Sequence, residues 1–149
     1  MTFRDWLKRS FGRIVNGTKI HLIDIAKLLD IPAPVVDRMR SRPDEECESI
    51  LLEQIESRHG GVVDWRARLV DILEAVDSCV TPEERKALHT NDGAVTKGFA
   101  EELHLLDSRL IPPMRALRAI ESLGDAYIVV LVPREKLSAF DQAARYWLV

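Results

Sequence analysis

Gly124-Asp125-Ala126-Tyr127-Ile128-Val129-Val130-Leu131-Val132-Pro133 is the stretch whose reading decides the fold. Ala126 to Val132 is an unbroken apolar run in which Ile128, Val129, Val130 and Val132 are β-branched. A strand that is apolar on both faces of its two-residue period is covered on both sides, which places it in the middle of a sheet. The run is far too short to span a bilayer. Gly124-Asp125 supplies a turn before it and Pro133 a stop after it. Met114 to Ser122 then reads as the partner strand, although Met114 to Glu121 also fits a helix ending at Gly124.

Working outward, nearly everything else is helical. Pro133 opens a terminal helix with Leu137, Phe140, Ala144 and Trp147 inward. Upstream, Thr96 is placed to cap a helix whose stripe is Phe99, Leu103, Leu106 and Leu110, ended by Pro112-Pro113. Thr81-Pro82-Glu83-Glu84 is the clearest local signal. Thr81 is an N-cap, Pro82 takes the first helical position and Glu84 closes a capping box. Arg66 to Cys79 is helical, with Leu69, Ile72, Leu73 and Val76 at helical spacing. Gly61-Val62-Val63-Asp64-Trp65 is a short strand or an extended connector, and His59-Gly60-Gly61 reads as the stop of the helix before it. That helix, Asp44 to Ser57, turns Cys47, Ile50, Leu51 and Ile55 inward. Two helices precede it, from Thr18 to Leu29 and from Pro34 to Arg40. A first helix carries Phe3, Leu7, Phe11 and Ile14 and ends at Asn16-Gly17. Its basic face of Arg4, Lys8, Arg9 and Arg13 suits a membrane surface, but packing on its own domain is the commoner use of such a stripe. The fold class is therefore α+β, mostly helical, with a small antiparallel sheet near the C-terminus.

At 149 residues, with 46% apolar and 30% charged side chains, the chain suits a single domain, 1–149, with one core. Its net charge of −3 is unevenly spread. Residues 1–40 carry eight Lys/Arg against four acids, and the remainder thirteen against twenty. That step leaves open an N-terminal helical subdomain, 1–42, although Ser41-Arg42-Pro43 is too short for a flexible linker. The N-terminus has no long apolar segment and no cleavage-like site, and Cys47 and Cys79 form no CxxC pair. A cytoplasmic protein with reduced thiols is expected.

No catalytic or metal motif emerges. Glu101-x-x-His104 with Asp107 puts three polar groups on one helical face, but bundle metal sites need a second copy. His21, His59 and His89 are isolated, and Gly60-Gly61 follows a helix rather than opening one, so it is a poor phosphate cradle. No cofactor is implied.

Two segments remain as candidate binding sites. Leu22 to Met39 resembles a helix-turn-helix, with Ile25 and Leu29 apolar, Ala26 small between them, Ile31 after the turn, and Val36 and Met39 pointing back. Asp30 stands where that pattern usually has Gly, and Pro34 and Asp37 fall on the would-be reading helix, followed by Arg38, Arg40 and Arg42. The other segment is the acidic run Asp44, Glu45, Glu46, Glu48, Glu53 and Glu56. Acids at a helix start complement its dipole, yet Glu45, Glu48, Glu53 and Glu56 also form a negative face for a basic partner.

From about residue 50 to 149 the order of features resembles a bacterial family built on a domain of unknown function. Gly61 to Trp65 and Gly124 to Pro133 carry that resemblance. It implies a bacterial, cytosolic α+β domain and brings no catalytic residues. The expected function is a non-catalytic protein-binding module, of the immunity or antitoxin type, that meets a basic protein partner. The alternative is a helix-turn-helix DNA-binding regulator using Arg38, Arg40 and Arg42.

Overall fold

The protein is described here by a computed structural model covering residues 15–56, 58–121 and 126–149. In chain order the elements are α1 (Val15–Leu28), α2 (Ala33–Arg40), α3 (Asp44–Ile55), β1 (Gly60–Asp64), α4 (Leu69–Val76), α5 (Pro82–Leu88), α6 (Phe99–Arg109), β2 (Ala116–Glu121), β3 (Ala126–Val132) and α7 (Leu137–Ala143). A single 3-10 turn, Arg134–Lys136, leads into α7.

The apolar run is the centre of the molecule. β3 lies between β1 and β2 and pairs antiparallel with both. Ile128, Val130 and Val132 pack on one side with α1, α2, α3 and α7, where Ile25, Met39, Leu51, Ile55 and Phe140 are fully buried. Val129 and Leu131 pack on the other with Ile72 of α4, Leu88 of α5 and Leu106 of α6. The sheet is thus sandwiched between two helical layers. Met114 to Ser122 resolves as a strand over Ala116–Glu121, and the Gly124-Asp125 turn lies outside the described residues. So does the helix expected over Phe3 to Ile14.

Gly61 to Trp65 proves to be a true strand, displaced by one residue, and the glycine pair belongs to it rather than to the end of α3. Backbone proximity explains the glycines. A Cβ on Gly60 would lie 1.7 Å from the Val129 carbonyl oxygen, and one on Gly61 would lie 2.5 Å from that of Ala75. α3 stops earlier, where Glu56 turns extended. Other expected boundaries move too, and the helix expected over Arg66 to Cys79 is confined to Leu69–Val76. Asn16-Gly17 and Thr18 lie inside α1, whose buried Leu22, Ile23, Ile25 and Ala26 repay a glycine cost of about 1 kcal/mol. Thr96 does not cap α6, which starts from Gly98; its hydroxyl bonds Glu102 at 2.9 Å instead.

Asp30 is left-handed, with φ of 56°. The Ile31 N–H donates to Ala26 O at 3.0 Å and the Asp30 N–H to Lys27 O at 3.1 Å, which is the Schellman ending usually built on glycine. Asp tolerates this region better than most side chains, and Lys136 pairs with its carboxylate at 2.7 Å.

The capping box before α5 is built as its sequence implies. The Glu84 N–H donates to Thr81 Oγ1 at 3.1 Å and the Thr81 N–H to Glu84 Oε1 at 2.9 Å. Glu84 also has a role the sequence did not reveal. It is 2% exposed and takes both arms of Arg115, at 3.1 and 2.7 Å. Burial pushes its carboxyl pKa up, but the bonds from Arg115 and Thr81 outweigh that and hold it below the ordinary carboxylate value. Two substitutions separate these roles in chemical denaturation. Thr81→Ala is expected to cost about 1 kcal/mol, the usual loss for a cap. Arg115→Ala is expected to cost about 3 kcal/mol, because it leaves a buried carboxylate without its partner.

Two histidines tie stability to pH. His21 packs edge-on against Tyr146 and Trp147, with centroids at 5.6 and 6.0 Å. Its pKa is lowered by burial and then by Arg145, and that of His59 by burial and then by Arg115. The unfolded chain protonates both near 6.5, so it binds more protons than the folded chain just below that pH. Stability is therefore fully present above pH 6.5 and declines as pH falls through it. Denaturation midpoints should be lower at mildly acidic pH than above neutrality, and His21→Gln with His59→Gln should flatten that slope.

Candidate functional site

The two candidate segments lie next to each other, α2 leading into α3 through Ser41-Arg42-Pro43. The Cys47 thiol locks the junction by donating to Met39 O at 2.7 Å. Both cysteines are free, and burial raises the Cys47 pKa, so its thiol is a structural donor rather than a nucleophile.

α1 and α2 are joined by the short turn Leu29 to Pro32 and pack through their apolar faces. Ile25, Ala26, Leu29, Ile31, Val36 and Met39, the residues singled out for it, are all buried. The outward face of α2 holds Ala33, Pro34, Asp37, Arg38 and Arg40. Two of the three candidate arginines are already engaged. Arg40 pairs with Asp37 at 2.9 Å, and Arg42 with Glu46 at 3.6 Å. Lys19 spends its ammonium on the Arg40 carbonyl at 3.0 Å. Phosphate binding by Arg40 or Arg42 requires those local carboxylates to be displaced.

α3 carries Asp44, Glu45, Glu46, Glu48 and Glu53 and no Lys or Arg. Its two ends have different electrostatics. Asp44, Glu45 and Glu46 sit in the first turn, where carboxylates complement the positive N-terminus. Glu45 and Glu48 take part in further interactions within the chain. Glu53 and Glu56 lie at the opposite end, where the helix dipole is negative and carboxylates are disfavoured. Both are exposed and have no ion pair among the described residues, and the nearby Arg58 guanidinium is spent on Gln54 at 3.1 Å. Of the four expected partner-facing acids, Glu45, Glu53 and Glu56 reach the surface fully and Glu48 partly.

The remaining polar face does not converge. Glu101 and His104 are exposed, and Glu101 accepts the Lys97 N–H at 2.9 Å. Asp107 is half-buried and turned to β2, accepting from Leu117 N–H at 2.8 Å and Arg118 at 3.0 Å. Among the described residues no three His, Cys, Asp or Glu side chains are grouped as a metal ion requires. Nor is any described helix long and apolar enough to cross a membrane. Sequence reasoning missed the buried carboxylate Glu102, 3% exposed and paired with Arg68 at 2.8 Å, since a lone Glu on an amphipathic helix carries no signal of burial. No family model, no curated protein and no solved structure matches the chain.

Proposed function

We propose that the chain is a non-catalytic protein-binding module of the immunity or antitoxin type, whose partner is basic and meets the outer face of α3. One observation carries the reading. Glu53 and Glu56 stand at the end of α3 where helix stability disfavours carboxylates, exposed and without an ion pair among the described residues. The dipole accounts for the acids at the start of α3 and leaves these two without a structural role. A buried stripe of Cys47, Leu51 and Ile55 anchors the helix beneath them, so the charged face is held rigidly. Preorganised charge of one sign speeds encounter with an opposite surface more than it tightens the final complex. A cytoplasmic, bacterial setting belongs to the same reading. The test begins with capture of the partner from the native host. Glu53→Lys with Glu56→Lys should then slow association roughly tenfold at low ionic strength and much less at high salt, while the denaturation midpoint rises slightly, because cations suit this end of the helix. An acidic partner, or an unaltered association rate, overturns the reading.

A second reading, DNA binding through α2, is supported by the left-handed Asp30 between α1 and α2, at the position where a helix-turn-helix usually has Gly. It predicts a mobility shift with random-sequence duplex at low salt that weakens steeply as salt rises and is reduced by Arg38→Ala. With Asp37 holding Arg40, the expected result is no shift.

A further inference from the structure

We propose that the outer edge of β1 is a second binding site, separate from α3, which takes an extended peptide segment rich in Lys or Arg as an added strand. The hydrogen-bond phase identifies the open groups. The Leu131 N–H donates to His59 O at 2.8 Å, so in the alternating pattern of an antiparallel ladder Gly61 and Val63 also face β3. The main-chain groups of Gly60, Val62 and Asp64 then point away from it. The first of these is occupied, since Gly60 bridges to Glu56 and its carbonyl receives the Cys79 thiol at 3.6 Å. The Asp64 carbonyl receives the Ala67 N–H at 2.9 Å. The Val62 N–H and C=O and the Asp64 N–H have no partner among the described residues. The opposite edge of the sheet is closed, because the Glu121 N–H donates to Trp147 O at 2.8 Å and the Val149 N–H to Ala119 O at 3.0 Å.

A groove of about 480 Å³ runs along this edge, with Val62, Val63, Ala67 and Ala75 as its apolar lining. Asp64, Asp71 and Glu74 supply three carboxylates against one cation, Arg66. Arg66 lies over the Trp65 ring, 4.8 Å from its centroid. Trp65 and Val70, next in sequence to Asp64 and Asp71, are 51% and 59% exposed. Open main-chain donors and acceptors supply the strand-addition contacts, and the side chains beside them select the incoming sequence. Here that selection is for positive charge alternating with apolar residues. A second copy of this chain is the wrong occupant, because two such edges would bring like carboxylates together.

The experiment uses the full chain, labelled for amide resonances and titrated with a short synthetic peptide that alternates Lys and Val. The Val62 and Asp64 amides should shift and exchange more slowly with solvent, and a Glu–Val peptide should leave them unchanged. Glu74→Lys, on the exposed face of α4, should weaken binding about fivefold, the scale of one exposed charge contact. Val62→Pro removes one edge donor; if it unfolds the chain, Glu74→Lys still decides. Glu53→Lys should leave the Lys–Val titration unaltered, so failure of the α3 reading and failure of this one are told apart. Shifts confined to α3, equal binding of the Glu–Val peptide, no shift at Val62 and Asp64, or edge-to-edge dimers in sedimentation would each overturn the proposal.

Discussion

The two-sided burial of β3 is the constraint on which the rest of the structure depends. Val129, Val130, Leu131 and Val132 are fully buried, with neighbours alternating between the two helical layers. Each layer is a set of short amphipathic helices, several of only seven or eight residues. Helices of that length are not stable alone in water. They persist because each has an apolar stripe and a strand face to cover. The glycine pair at the start of β1 serves the same end by letting its backbone approach Val129 and the carbonyl of Ala75.

Arginines join what the apolar contacts bring together. Arg118, on β2, reaches Asp107 of α6 in one layer and Asp141 of α7 in the other, both at 3.0 Å. Arg134 donates to the carbonyls of Met114, at 2.8 Å, and Leu110, fastening the end of β3 to the approach to β2. These links run between elements distant in the chain. They explain why the polar groups around the sheet are committed to structure and offer little to a ligand. On α3 and at the rim of β1, by contrast, Glu53, Glu56 and Glu74 are exposed and have no ion pair among the described residues.

Much of the fold was legible from local signals. The central position of Ala126 to Val132, the capping box at Thr81 and the inward residues between Leu22 and Met39 each rest on a spacing or a residue type with a direct physical meaning. What was not legible is long-range. Nothing local says that Gly60 pairs with Val130 or that Arg115 meets Glu84. The candidate site divides in the same way. The acidic helix was evident as a row of carboxylates, but distinguishing those at its start from Glu53 and Glu56 required knowing where the helix ends.

The position of β3 along the chain also bears on how the protein is made. β1 and every described helix except α7 are synthesised before the strand that covers their inner faces, and Gly60 waits for Val130 before its sheet exists. An incomplete chain therefore carries two apolar surfaces with nothing between them, of the kind that invites aggregation. The core closes only once β3 and then α7 have been translated, so stalled or prematurely terminated chains are candidates for chaperone binding and proteolysis rather than partly active fragments.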